Sequence, residues 1–143
     1  MRILIDGDAC PVIEITEKIA KTKNIEVIIF TDITHQIKTE NELVVLDKAN
    51  QSVDMALYNR CREGDIVITQ DYGLASLVLN KGAAAVNESG MEYHDENIDN
   101  LLMRRHVHAK MRRAGLKHQN ASKRTSDDDL RYQQLLVDII ENR

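Results

Sequence analysis

Asp6-Gly7-Asp8 stands immediately after the first apolar run of the chain, Ile3-Leu4-Ile5, and Asp71 follows a second such run, Ile66 to Thr69. Carboxylates repel one another, so several gathered at the rim of a sheet are tolerated when a divalent cation or a proton offsets their charge. A dication held in this way can activate water. Asp54 joins the candidates from a helical pattern, where Leu57 and Cys61 follow it at spacings of three and seven residues. That face is expected to point inward, and an acid on it needs a partner. The expected catalytic and metal-binding set is therefore Asp6, Asp8, Asp54 and Asp71. Singly, structural roles compete: Asp8 organising the turn ahead of Pro11, and Asp71 capping a helix that begins at Tyr72. Jointly, four acids assigned to one crevice favour a metal.

The elements that must position these acids follow from apolar periodicity. Arg2 to Ile5 reads as a buried strand, and beyond the acidic turn Val12, Ile15 and Ile19 recur at helical spacing, with Pro11 suited to the first helical position. Val27 to Phe30 and Leu43 to Leu46 are continuous apolar runs, the pattern of strands covered on both faces. Ser52 to Arg62 reads as a helix closed by Gly64, Ile66 to Thr69 as a strand, Leu74 to Leu79 as a short helix stopped at Gly82, and Ala83 to Val86 as a fifth strand. Strands alternating with helices predict an α/β three-layer sandwich around a mostly parallel five-stranded sheet. Ligands collect at the carboxyl ends of such strands, where the strand order reverses. In the order 3-2-1-4-5 that reversal lies between strands one and four, bringing Asp6 and Asp8 beside Asp71.

A length of 143 residues with 43% hydrophobic content suits one domain, with a core over about residues 1–90 and a helical extension over about residues 91–143. In that extension Asp95 to Ala114 and Asp127 to Ile140 read as helices. Tyr132, Leu135, Leu136, Ile139 and Ile140 share a face that is expected to dock on the chain's own body. No apolar run exceeds four residues, against ~20 for a bilayer span, so no membrane association and a cytoplasmic location are expected. Cys10 and Cys61 are too few for a disulfide framework and read as reduced thiols. No glycine-rich phosphate loop occurs. Net charge is -4 but segregated: from Arg104 to Arg124 there are eight basic residues and no acid. Arg104, Arg105, Lys110, Arg112, Arg113, Lys117, Lys123 and Arg124 could neutralise backbone phosphates, with a solvated helix face the competing reading. The Asp127-Asp128-Asp129 run is expected to be structural, complementing a helix start capped by Ser126. His106 and His108 are two apart and face different ways on a helix, and His35, His94 and His118 have no evident ligand companions.

Asp6-Gly7-Asp8-Ala9-Cys10-Pro11, then Gly64-Asp65-Ile66-Val67-Ile68-Thr69-Gln70-Asp71 with Leu74-Ala75, then Lys81-Gly82-Ala83 leading to Asn87, resemble the uncharacterised bacterial YaiI/YqxD family. The resemblance extends from the first strand to the basic helix near Arg113. That family is regarded as PIN-like, which implies the strand order 3-2-1-4-5, an acidic pocket for Mg²⁺ or Mn²⁺, and action on single-stranded RNA. Thr69-Gln70-Asp71 is similar to the PIN Thr-x-Asp motif, and Asp6 occupies the position of its first-strand acid. Asp54 corresponds more loosely, as does Asn87, which with Thr69 would be a supporting polar residue. Two departures stand out: Asn87 replaces a fourth acid, and Asp8 is an addition. Past Lys117 the family's Gly-Pro pair and Asp-Arg step are replaced by Lys123-Arg124 and Asp128-Asp129.

The leading expectation is a metal-dependent phosphodiesterase acting on RNA, with DNA as a second substrate and Arg104 to Arg113 holding the strand. Two rivals stay open. A haloacid-dehalogenase-like phosphatase would use Asp6 as nucleophile and Asp8 as general acid, but would want Thr or Val where Cys10 stands. A non-catalytic RNA-binding or regulatory module would keep the fold and a structural cation. A homo-oligomer is compatible with all three.

Overall fold

The computed structural model describes residues 1–8, 10–47, 51–115 and 123–143. Its sheet is built from β1 (Arg2–Asp6), β2 (Glu26–Asp32), β3 (Glu42–Leu46), β4 (Ile66–Ile68) and β5 (Ala84–Val86). These run in the order β3-β2-β1-β4-β5, and every pairing is parallel, as expected. The register sets Asp6 opposite Phe30 and Ile5 opposite Ile68, so β1, β2 and β4 end at one rim.

Alternation along the strands divides the core between two faces. Leu4, Ile28, Phe30, Val67 and Ala85 meet α2 (Val53–Arg60), α3 (Tyr72–Asn80) and the first turn of α4 (Asp95–Arg113). Ile3, Ile5, Val27, Ile29, Ile66 and Ile68 meet α1 (Ile13–Lys23) and α5 (Ser126–Asn142) on the other face. Three layers result, with β1, β2 and β4 covered on both sides. Each fully buried Ile or Leu there contributes roughly 1.5–3 kcal/mol of transfer free energy.

Several local expectations are corrected. β3 is the sheet's edge: Val44 and Leu46 pack on one core cluster and Leu43 on the other, but none of them is fully buried and Val45 is 49% exposed, so its apolar run is only partly covered. Pro11 stands in the turn before α1, whose N-cap is Val12; the buried positions of that stretch are Val12, Thr16 and Ala20, while Ile15 and Ile19 are half-buried. α2 closes at Cys61, ahead of Gly64. The cap of α5 is Thr125 instead of Ser126: the Thr125 N–H donates to Asp128 Oδ2 at 2.9 Å. Asp127-Asp128-Asp129 do occupy its first turn.

α5 docks on the chain's own body through Tyr132, Leu136 and Ile139. The buried Tyr132 hydroxyl shares a 2.5 Å hydrogen bond with Thr16 Oγ1, which also donates to the Val12 carbonyl at 2.7 Å. Burying a phenol without such a partner would cost roughly 1–3 kcal/mol. α4 is different. Only Ile98 is buried; Leu102, Met103 and Val107 are exposed, as are Arg104, Arg105, Lys110, Arg112 and Arg113. Ala9, Lys117 and His118 lie outside the described residues. Among the described residues no helix is long and apolar enough to cross a membrane.

Candidate functional site

The acids meet where the strands end. Gly7 makes this possible: its N–H donates to the Phe30 carbonyl at 2.7 Å, and a Cβ built on it would lie 2.8 Å from that same oxygen. Only glycine lets β1 stay this close to β2 while its two flanking aspartates sit at the rim. On the other side of β1, the buried Thr69 hydroxyl donates to Asp6 Oδ2 at 3.0 Å and accepts the Asp71 N–H at 3.0 Å. Thr69 thus ties the end of β1 to the segment following β4. The Tyr93 hydroxyl in turn donates to the Thr69 carbonyl at 3.1 Å.

Asp6, Asp8, Asp54 and Asp71, with Ser52 and Val53, line one open cleft of about 410 Å³. Asp54 gets there by a route other than the expected one. Ser52 caps α2, accepting the Met55 N–H at 3.4 Å, and Asp54 in the first turn is exposed instead of inward-facing. The apolar face of α2 is carried by Val53, Ala56 and Leu57. Asp71 has the capping role weighed against it: Oδ1 accepts the N–H groups of Gly73 at 2.9 Å and Leu74 at 3.2 Å. Cap and cleft lining are both fulfilled, because a carboxylate has two oxygens.

Burial pushes the Asp6 carboxyl above the usual carboxylate range; the Thr69 hydrogen bond opposes this, and the Asp8 and Asp71 charges reinforce it. An uncompensated charge at Asp6 is therefore costly.

Sequence reasoning missed Asp32 and His35. Among the described residues, Asp8, Asp32 and His35 are the one group of three whose potential ligand atoms all lie within 4.8 Å of one another. Asp32, only 1% exposed, accepts the Thr34 N–H at 2.8 Å and the Thr34 hydroxyl, which shapes the turn leading to His35. His35 Nε2 lies 3.6 Å from Asp8 Oδ1, so the expectation that this histidine lacks companions is corrected. The signal was present: Asp32 ends β2, and the rule that selected Asp6 and Asp71 as acids at strand ends applies equally to β2, the neighbour of β1. Glu88 was missed too. With Asp6, Asp8, Cys10, Thr69 and Gln70 it lines a smaller pocket of about 60 Å³.

Asn87 supports the site indirectly. Its Oδ1 accepts the N–H groups of Ser89 at 3.0 Å and Met91 at 2.9 Å, folding the loop that carries Glu88. Burial raises the Cys10 thiol to about 11, which disfavours the thiolate needed for nucleophilic or metal-binding chemistry. A larger cleft of about 780 Å³ lies between α1 and the segment 38–41. Its Glu17 is engaged by Thr39 and Asn41, leaving a structural role there. The basic helix approaches the acid rim at one point, where the Arg105 guanidinium lies over the Tyr72 ring, 5.4 Å from its centroid.

Comparison with known proteins agrees with the motif-level resemblance and extends it. The model of the family described as "Uncharacterized BCR, YaiI/YqxD" matches residues 4–142, and so runs on through α5, beyond the expected limit near Arg113. The chain is 49% identical over 143 residues to a UPF0178 protein of Clostridium kluyveri, covering 99% of this chain and 94% of that relative. It is 48% identical over 141 residues to a UPF0178 protein of Clostridium tetani, covering 98% and 97%. A UPF0178 protein of Alkaliphilus oremlandii is 42% identical over 142 residues, covering 99% and 92%. No solved structure matches. With a family match over nearly its whole length and close relatives of nearly equal extent, the chain belongs to the YaiI/YqxD family.

Proposed function

We propose that this protein is a divalent-metal-dependent phosphodiesterase of PIN-like type acting on single-stranded RNA. The observation that carries the reading is the convergence of Asp6, Asp8, Asp54 and Asp71, from the end of β1, the first turn of α2 and the residues after β4, on one cleft. Four carboxylates sharing a rim repel one another, and a bound dication is the simplest compensation.

The donors close enough to share one ion are Asp8, Asp32 and His35 among the described residues, and Asp8 also lines the cleft with Asp6, Asp54 and Asp71. Carboxylate oxygens suit Mg²⁺ or Mn²⁺, and the His35 imidazole beside Asp8 and Asp32 tilts the set toward the transition metal. Bound there, the dication supplies a water of lowered pKa and positive charge for the phosphoryl oxygens. The chain's own residues do the rest. Thr69 fixes Asp6 relative to the Asp71 backbone, and the cap made by Asp71 Oδ1 orients that side chain at the rim. Arg104, Arg105, Lys110, Arg112 and Arg113 give the strand a basic track that carries no acid.

The test is cleavage of mixed single-stranded RNA with Mn²⁺ by the parent chain and by Asp6→Asn and Asp71→Asn variants. Asparagine retains an oxygen for the Thr69 bond and for the α3 cap, so both variants keep the fold. Cleavage by the parent and a loss of about a hundredfold or more in each variant is expected. Equal cleavage by all three proteins identifies a contaminant and refutes the reading. Binding without cleavage by the parent favours the non-catalytic RNA-binding module, for which the helix capping by Asp71 is the supporting observation.

A further inference from the structure

The chain has one Phe, four Tyr and no Trp, so an aromatic face at the surface is scarce. Phe30, Tyr93 and Tyr132 are at most 1% exposed. Tyr58 is partly buried beneath the Lys81 ammonium, which sits 3.9 Å from its ring centroid and is bound to the Tyr58 and Cys61 carbonyls. Tyr72 remains. It directly follows Asp71, is half-buried, and its ring leans on Tyr93 at a centroid distance of 6.2 Å and a tilt of 58°. Arg105 reaches it from α4. Among the described residues no carboxylate pairs with this guanidinium, whose one described contact is the Tyr72 ring.

Building on the single-strand phosphodiesterase reading above, we propose that Tyr72 and Arg105 form a stacking platform that holds one unpaired nucleobase beside the phosphate at the acid rim. Three placements combine: an aromatic ring adjacent in sequence to a cleft acid, a guanidinium over that ring, and a basic helix carrying the guanidinium past the rim. At 5.4 Å the guanidinium is within cation–π reach yet loosely held. An incoming base can displace it from the ring or stack on its outer face. Both are established modes of single-strand recognition, and both tolerate any sequence because every base has a π-face. The consequence is selection for unpaired strands: a base inside a duplex is already stacked and cannot offer its face. Tyr72 and Arg105 are positioning residues, and they set substrate class without touching the scissile bond.

The test uses the full chain in an Asp6→Asn background with Mn²⁺, so that bound strand is not cut. The probes are a short oligoadenylate and the same ribose-phosphate strand with abasic residues. Because the chain has no Trp, Tyr72→Trp introduces a single reporter. Its emission is expected to be quenched by oligoadenylate and left unchanged by the abasic strand. Tyr72→Leu, which keeps an apolar contact with the core, is expected to lose about tenfold or more in oligoadenylate affinity and nothing toward the abasic strand. Unchanged Trp emission while anisotropy reports bound oligoadenylate overturns the platform. Equal affinities of parent and Tyr72→Leu, or no preference of the parent for oligoadenylate over the abasic strand, do the same. In each of these cases the phosphodiesterase reading still stands or falls on its own cleavage assay. Absence of any strand binding by the parent overturns the platform and the strand-holding role of α4 together.

Discussion

A matched pair of glycines measures how firmly α5 clamps the acid site. Gly64 and Gly90 have nearly identical backbones, with φ of 87° and 85°, in the left-handed region where a side chain costs roughly 1–2 kcal/mol. Their surroundings differ. A Cβ at Gly64 meets nothing within 4 Å, whereas at Gly90 it would lie 2.6 Å from the Arg131 carbonyl carbon, 2.7 Å from Arg131 Cβ and 2.8 Å from the Tyr132 nitrogen. The backbone of α5 cannot yield at that point without lifting Tyr132 from Thr16. Overpacking of this kind adds roughly 1–3 kcal/mol. Gly64→Ala should therefore cost about 1–2 kcal/mol and Gly90→Ala about 2–5 kcal/mol. At roughly 3–4 °C per kcal/mol for a chain of this size, the melting temperature should fall by about 5 °C in the first variant and about 10 °C in the second. Thermal and urea unfolding followed by circular dichroism read both. Because the loop that contains Gly90 also carries Glu88 to the small acidic pocket, Gly90→Ala should weaken Mn²⁺ uptake in calorimetry, while Gly64→Ala should not. Equal destabilisation by the two substitutions would refute the claim that α5 bears directly on this loop.

Asp65 and the thiols supply further checks. Burial raises the Asp65 carboxyl, but hydrogen bonds from the Arg2 guanidinium and the Arg62 and Arg2 N–H groups outweigh it and hold the group below the usual carboxylate range. A depressed carboxylate contributes stability that is fully present above its unfolded value of about 3.9 and is lost as pH falls through the lower folded value. Asp65→Asn, which leaves the half-buried Arg2 without its counter-charge, should cost about 2 kcal/mol at neutral pH. In urea titrations the gap to the parent should narrow as pH drops below about 4; a gap independent of pH would contradict the linkage. Burial raises Cys10 and Cys61 to about 11 each, leaving only about a thousandth of each thiol ionised at pH 8. Alkylation by iodoacetamide, followed by mass spectrometry, should run roughly two orders of magnitude slower than for free cysteine; a rate near that of free cysteine would remove the buried-thiol description.

What could be read from residue order alone was whatever is local. Apolar runs bounded by turn residues located every strand of the sheet, because a strand buried on both faces must be apolar without interruption. Asp6 and Asp71 declared themselves by following such runs, and the segregation of basic charge from Arg104 to Arg124 can be read directly from the sequence. Errors arose where a local pattern has two tertiary outcomes. Leu43 to Leu46 has the same apolar run as a central strand, yet β3 lies at the edge, since which strand lacks a neighbour is decided by the sheet. Asp54 shares a helical spacing with buried residues, yet faces the cleft, because the capped start of α2 rather than its periodicity sets which way the first turn points. Tertiary structure alone joined Asp32 and His35 to Asp8. Those contacts depend on the parallel register of β1 with β2, which puts chain ends 24 or more residues apart at one rim. It alone placed Arg105 over Tyr72, a meeting of two helices whose spacing in sequence carries no mark of it. Periodicity reports which side of an element is buried; only the packed sheet determines which elements share an edge, and a site at such an edge is assembled by that packing.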